Sequence, residues 1–209
     1  MDSKMPEKKD VTEVVTCRAG KDGCPNAVID VKALSEQLTE VLEEPENKRK
    51  LEEKLARPFA FHSQFRAAVT GCPNACAQPQ IRDFGVIGRA RILLSEPLCT
   101  ECGLCEGACK ENAITVVEGK PRIDQTRCIS CSDCVRACQS DALLVGGGTH
   151  EVIVGGKLGR HPRLARSLGE FDTIKEAVEC LRRAIALLLA EGRRSERLGA
   201  LLQRLESRN

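Results

Sequence analysis

The sequence predicts an α+β fold in which a small cysteine-rich module, residues 90–146, is inserted into a larger mixed domain made of residues 11–89 and 147–209. Three observations predict it. Segments that alternate like strands are interleaved with segments whose apolar residues fall at helical spacing. Four cysteines, Cys99, Cys102, Cys105 and Cys109, recur 29 residues later as Cys128, Cys131, Cys134 and Cys138. Hydrophobic residues make up 42% of the chain, enough for a real core, while aromatics are only 2%, so that core must be aliphatic.

In chain order, residues 1–10 are charged and read as a disordered tail. Residues 11–16 (VTEVVT) alternate as a strand. Asp30 can cap a helix whose apolar residues are Val31, Leu34, Leu38, Val41 and Leu42. Pro45 breaks that helix, and residues 46–56 read as a second, highly charged one. Residues 65–69 and 85–94 read as strands, the first leading into Gly71-Cys72-Pro73. Residues 113–124 (AITVVEGKPRID) read as a hairpin turning at Glu118-Gly119. After Gly146-Gly147-Gly148 comes a strand at 151–154, then a turn-rich loop at 155–162. Thr173 and Glu176 can form a capping box for a helix to about residue 190, with a stripe of Ile174, Val178, Leu181, Ile185 and Leu188. A short helix at 196–205 closes the chain.

Composition excludes several classes of function. The net charge is +2 with both signs interspersed, which is not the basic footprint of a nucleic-acid binder. The first ten residues hold no apolar stretch of a secretory leader. The longest apolar run, residues 185–190, falls far short of the roughly 20 residues of a membrane span. The chain therefore reads as cytoplasmic, and its 13 cysteines as metal ligands rather than as disulfides.

Each half of the repeat reads Cys-x2-Cys-x2-Cys-x3-Cys. Three thiolates on a tight loop hold three irons of a cubane, and the fourth cysteine reaches the other cluster. This is the pattern of bacterial two-cluster ferredoxins. The crossed ligand sets are then Cys99, Cys102, Cys105 and Cys138 for one [4Fe–4S] cluster, and Cys128, Cys131, Cys134 and Cys109 for the other. A structural zinc site would instead pair two Cys-x2-Cys knuckles. Lys110 and Gln139 stand where a proline is usual after the fourth cysteine; neither position is a ligand.

Of the five remaining cysteines, Cys17 and Cys24 follow one strand, and Cys72 and Cys76 follow another, each pair in a stretch rich in Gly and Pro. Cys-x3-Cys alone fits a buried thiol as well as a ligand. Two such pairs at strand ends are better explained by a third cluster. Cys180 is left over beside the apolar stripe of the long helix and reads as a core residue.

The segment Thr70-Gly71-Cys72-Pro73-Asn74-Ala75-Cys76, followed by Asp83-Phe84-Gly85-Val86-Ile87-Gly88, resembles the signature of sirohaem-dependent sulfite and nitrite reductases. Glu151-Val152-Ile153-Val154-Gly155-Gly156-Lys157-Leu158-Gly159-Arg160-His161-Pro162 resembles its continuation. A ferredoxin insertion between the two pieces is similar to the dissimilatory and anaerobic branches of that family. The resemblance covers roughly residues 11–205.

It implies an oxidoreductase with a sulfite-reductase-like half-domain and a third [4Fe–4S] cluster on Cys17, Cys24, Cys72 and Cys76. Cys76 would bridge to the sirohaem iron, and the sirohaem would carry a six-electron reduction of sulfite or nitrite. It implies as partners a small anionic substrate, an electron-donor protein or subunit, and a homo- or hetero-oligomeric state. Cations next to the shared motifs, Arg18, Arg66, Arg82, Lys157 and Arg160, with Arg163 beside them, are candidates for the cofactor's carboxylates and the substrate anion. His161 before Pro162 reads as a structural residue or a proton donor, and no catalytic residue is assigned.

The sequence departs from the family pattern in three places. Cys17 and Cys24 are spaced Cys-x6-Cys where Cys-x5-Cys is usual, with Gly20 and Gly23 available to absorb the extra residue. Gln64 stands where a lysine is common. Only 16 residues precede Cys17, so sirohaem is expected at an edge shared with a second copy or another subunit. The competing expectation is a haem-free iron–sulfur electron-transfer protein that serves a partner reductase.

Overall fold

The computed structural model describes residues 10–55 and 64–208. All of the expected tail except Asp10 lies outside the described residues, as does Ala56, the last residue of the second expected helix. The elements in chain order are β1 (Thr12–Thr16), α1 (Val31–Glu43), α2 (Pro45–Leu55), β2 (Phe65–Thr70), β3 (Phe84–Leu94), α3 (Leu104–Ala108), β4 (Ile114–Val117), β5 (Lys120–Ile123), α4 (Asp133–Ala137), β6 (Leu143–Val154), β7 (Arg166–Phe171), α5 (Ile174–Glu191) and α6 (Leu198–Glu206). The fold is α+β. Its main sheet has the strand order β1-β2-β3-β6-β7, in which β1, β2 and β3 run parallel and β6 and β7 antiparallel.

Local chemistry sets the helices. The Asp30 carboxylate accepts from the Ala33 N–H at 2.9 Å and starts α1. The buried face of α1 is Val31, Leu34, Leu38, Val41 and Leu42, the set that the spacing predicts. Each buried aliphatic side chain of this size contributes about 1.5–3 kcal/mol. Pro45 ends that run and opens α2, where its missing N–H costs nothing. α5 begins with a reciprocal capping box between Thr173 and Glu176. Its inward face also takes up Ala177, Cys180 and Ala184.

Successive strand residues face opposite sides. Phe65, Ala67, Val69, Phe84, Val86, Val152 and Val154 meet the four long helices in one aliphatic core. Ala68, Ile87 and Ile153, of the opposite parity, are also buried. The segment joining β2 to β3 covers that second face: a Cβ at Gly85 would stand 2.7 Å from Pro79.

Two elements differ from expectation. The three glycines at 146–148 do not interrupt the chain; β6 runs through them as one strand from Leu143 to Val154. Glycine is required there by close approach. A Cβ at Gly146 would meet the Leu93 side chain at 2.5 Å, and one at Gly148 would stand 1.9 Å from the Val28 carbonyl oxygen. β7, sequence RSLGEF, is a mostly exposed edge strand without apolar alternation, so its sequence carries no strand signal.

Candidate metal centres

β3 and β6 form a ladder that outruns the rest of the sheet, pairing from Phe84 with Val154 out to Leu94 with Leu143. The expected module boundaries at 89/90 and 146/147 fall inside this ladder. At its far end a second, small core gathers Ile114, Cys134 and Leu143, with Ile92, Leu94, Cys105, Cys109, Ile123, Val135 and Cys138 packed against them.

The repeat of the sequence is also a repeat of backbone conformation. Glu101 and Ser130 have φ of 59° and 56°, Gly103 and Ser132 of 73° and 63°, and Asn112 and Asp141 of 48° and 54°. Left-handed non-glycine residues cost on the order of 1–3 kcal/mol each and persist where their surroundings fix them. Here they wind each cysteine loop the same way, one loop into α3 and the other into α4. The β4–β5 hairpin turns at Glu118 and Gly119, both at positive φ, as a two-residue turn requires.

The winding brings the repeat cysteines into two groups. Cys99, Cys102, Cys105 and Cys138 line one cavity, walled by Val116, Pro121 and Leu143. Cys109, Cys128, Cys131 and Cys134 line a second, walled by Ile92, Ile114 and Ile123. In each, three thiols come from one half of the repeat and one from the other. Among the described residues no three of His, Cys, Asp and Glu converge on the point that a single ion would occupy. The thiols instead stand around a space, the arrangement a polynuclear cluster needs. Backbone N–H groups point at some of the sulfurs, from Ala113 to Cys109 Sγ at 3.2 Å and from Ser130 to Cys128 Sγ at 3.4 Å.

Burial pushes the Cys105 and Cys131 thiols up and Cys134 to about 11. Against its own burial, the amides of Leu143, Ser140 and Ala142 hold Cys138 below the usual range. Thiols ligate as thiolates, so an iron cluster would displace the protons that burial keeps on these sulfurs.

The other four expected ligands also meet. β1 and β2 run parallel and end side by side, so Cys17 and Cys72 emerge at the same end of the sheet. The Cys17 N–H donates to the Val69 carbonyl, the Gly71 N–H to Cys17 Sγ at 3.4 Å, and the Val28 N–H to the Gly71 carbonyl. Gly23, at φ 77°, closes the longer Cys17–Cys24 loop. The Cys72 thiol is raised by burial and, less strongly, by its neighbours Cys24, Cys76 and Cys17. The Asn26 amide, with help from Arg18, holds Cys24 below its ordinary value. Cys76 is exposed, and the Asn74 amide group donates to its sulfur at 3.0 Å.

The five candidate cations do not converge. Arg18 is exposed on the turn between Cys17 and Cys24. Arg66 and Arg82 bracket the cysteine motif in sequence, but both stand where parallel strands begin, whereas Cys17 and Cys72 stand where they end. Four residue steps along β2 separate Arg66 from Thr70, roughly 13 Å of strand. Arg66 Nε donates to Glu13 at 2.6 Å. Arg82 is depressed by burial and by Arg66 nearby, and its buried Nε has no hydrogen-bond partner among the described residues.

Lys157 and Arg160 share that end, because Gly156 packs on the Gln80–Arg82 backbone. Lys157 donates to Gln203, and Arg163 pairs with Glu206. Arg160 and His161 are exposed. Gln64 donates to the Asp10 carbonyl.

Two ion pairs were not expected. Asp83 is fully buried and grips Arg197 through two hydrogen bonds, Nε–Oδ1 at 3.1 Å and Nη2–Oδ2 at 2.7 Å, while accepting the Arg66 N–H. Burial pushes this carboxyl up, against the pull of Arg197. Arg89, in the long ladder, holds Glu151 and reaches the Ile129 carbonyl at 2.7 Å. Two arginines, Arg89 and Arg91, in the otherwise apolar β3 were the available signal for the second pair. Cys180 is buried on α5 in the main core. Cys180→Ala is expected to leave iron content unchanged, by iron and sulfide analysis.

The family model described as the nitrite and sulphite reductase 4Fe-4S domain matches residues 7–208. The chain belongs to this family. A subunit of the anaerobic sulfite reductase of Salmonella typhimurium is 32% identical to this chain over 101 residues, 48% of this chain and 25% of that one. The coenzyme F420-dependent sulfite reductase of Methanocaldococcus jannaschii is 28% identical over 106 residues, 51% of this chain and 15% of that one. The chain thus matches a quarter or less of the length of these relatives. The crystal structure of dissimilatory sulfite reductase I has the same fold over 94% of this chain and 50% of its own, with a TM-score of 0.66 at 22% identity. No helix among the described residues is long and apolar enough to cross a membrane.

Proposed function

We propose that this chain is a sirohaem-type sulfite or nitrite reductase component that carries electrons through two ferredoxin-like [4Fe–4S] clusters to a third, coupled to the sirohaem. The observation that carries the reading is the grouping of twelve thiols into three sets, two around matched cavities and the third at the adjoining end of the main sheet. When bound, such clusters supply one-electron storage and transfer, and sirohaem supplies the site at which the anion is reduced.

The protein's own part is to hold the thiolates, to wall the two inner sets with aliphatic side chains, and to direct N–H groups at their sulfurs. Cys76, exposed in the third set, is the thiol that would face a bound sirohaem. Arg18 stands beside the same cysteines and would meet one carboxylate of the macrocycle. The other candidate cations lie where the strands begin, so a second copy or another subunit would complete the envelope and bring the electron donor. The chain would act in the cytoplasm, where thiols stay reduced.

The placement of Arg66, Arg82, Lys157 and Arg160 at the end of the sheet away from Cys17 and Cys72 favours a second reading: a haem-free electron carrier for a partner reductase. Anaerobic purification after co-expression with sirohaem synthesis separates the two. Discrete haem bands that co-elute with this chain, with sulfite or nitrite turnover by a reduced dye, are the expected result. A broad iron–sulfur shoulder without haem in any fraction would overturn the first reading in favour of the second.

A further inference from the structure

Resting on the three-cluster reading, we infer that the second thiol set, Cys109, Cys128, Cys131 and Cys134, is the relay to the third, and that Arg89 is the positioning residue which fixes it there. The two inner sets are alike in sequence but differ in how they meet the sheet. The loop bearing Cys128 and Cys131 is fastened directly to β3. Arg89 Nη1 donates to the Ile129 carbonyl at 2.7 Å, and the Ala90 N–H donates to the Ser130 carbonyl at 2.8 Å. The ladder is irregular between Ala90 and Ile92, where the chain leaves its regular register.

Cys128 and Ser130 also line a cleft with Ala90 and Thr149, and Ile92 of β3 walls the cavity of the second set. The loop bearing Cys99 and Cys102 meets instead the β4–β5 hairpin: Lys120 pairs with Glu101, and Cys99 lies near the Gly119 carbonyl.

The third set rests on the same stretch of ladder. A Cβ at Gly88 would stand 2.4 Å from the Gly71 carbonyl oxygen, next to Cys72, and the Val28 carbonyl, in the turn after Cys24, lies against Gly148. Gly88 and Ala90 are two residues apart, roughly 7 Å of strand. Glu151 explains why an arginine is tolerated here. It accepts Arg89 through Nε and Nη2, and both side chains are mostly buried, at 20% and 16% exposure. Arg89 is thereby held with one nitrogen left for the Ile129 carbonyl.

The step is a single electron passing from the reduced second cluster to the oxidised third, with no bond made or broken and with a low-potential donor reducing the first set. Clusters held this close couple magnetically when both are reduced. EPR of the cluster-loaded full chain, reduced with dithionite, tests the inference. The coupling splitting is expected in the wild type, retained in Cys99→Ser and lost in Cys128→Ser. In Cys99→Ser/Arg89→Met, where the first cluster no longer contributes a splitting with the second, it is expected to disappear while iron per chain stays at the Cys99→Ser value, and Cys99→Ser/Arg91→Met, which removes an exposed cation paired with Asp172, is expected to match Cys99→Ser.

The absence of a splitting in Cys99→Ser, a splitting that Cys128→Ser spares, or a Cys99→Ser splitting that survives the addition of Arg89→Met overturns the inference. The cysteine pair decides the order of the clusters even if Arg89→Met does not fold. Iron content near zero in the wild type would instead bring down the three-cluster reading itself.

Discussion

Cys138→Ser is expected to remove the cluster of the first half of the repeat, not of its own half. Cys138 lies in α4's loop, at the end of the second cysteine run, yet lines the cavity of Cys99, Cys102 and Cys105. A serine there leaves three thiolates for four irons, and the loss is about four irons per chain. EPR of the reduced variants gives the assignment. Cys138→Ser should lose the same signal as Cys99→Ser and keep the one that Cys128→Ser loses. A Cys138→Ser spectrum that matched Cys128→Ser would show each half of the repeat to be self-contained.

Asp83→Ala is expected to cost about 3–5 kcal/mol of stability, the usual result of removing one partner from a buried ion pair. Its carboxylate ties three parts of the main domain together: Arg197 at the start of α6, the Arg66 amide of β2, and the entry to β3, which it immediately precedes. Without it the Arg197 guanidinium is left mostly buried and unpaired. Urea unfolding of the cluster-loaded protein measures the change. Arg166→Ala, which breaks an exposed pair with Glu206, serves as the comparison and should cost at most about 1 kcal/mol. An Asp83→Ala midpoint within that same range would mean that the pair contributes little to holding α6 on the sheet.

Much of this architecture was legible in the sequence because local chemistry and tertiary packing ask for the same residues. The α1 stripe, the Asp30 cap, the Thr173–Glu176 capping box and the Glu118–Gly119 turn are each set by interactions within a few residues. The grouping of the repeat cysteines followed from their spacing.

What was not legible depends on contacts between distant segments. Gly146, Gly147 and Gly148 read as a break, yet their flatness lets Leu93 and the Val28 carbonyl approach a continuous strand. β7 is paired on one side only and has no apolar face to announce it. Arg66 and Arg82 flank the cysteine motif in sequence, but parallel strands return the chain to the same end before each begins, and both fall away from the cysteines. Sequence proximity to a motif locates a residue well on one loop, and poorly across a strand about 20 Å long.

The measurement that bears most directly on the account is iron and acid-labile sulfide per chain after anaerobic reconstitution without sirohaem. Three cubanes held by Cys99, Cys102, Cys105 and Cys138, by Cys109, Cys128, Cys131 and Cys134, and by Cys17, Cys24, Cys72 and Cys76 predict about twelve irons and as many sulfides. A value near eight would contradict it, because it would leave the cysteines at the end of the main sheet without a cluster and sever the route from the inserted module to the sirohaem.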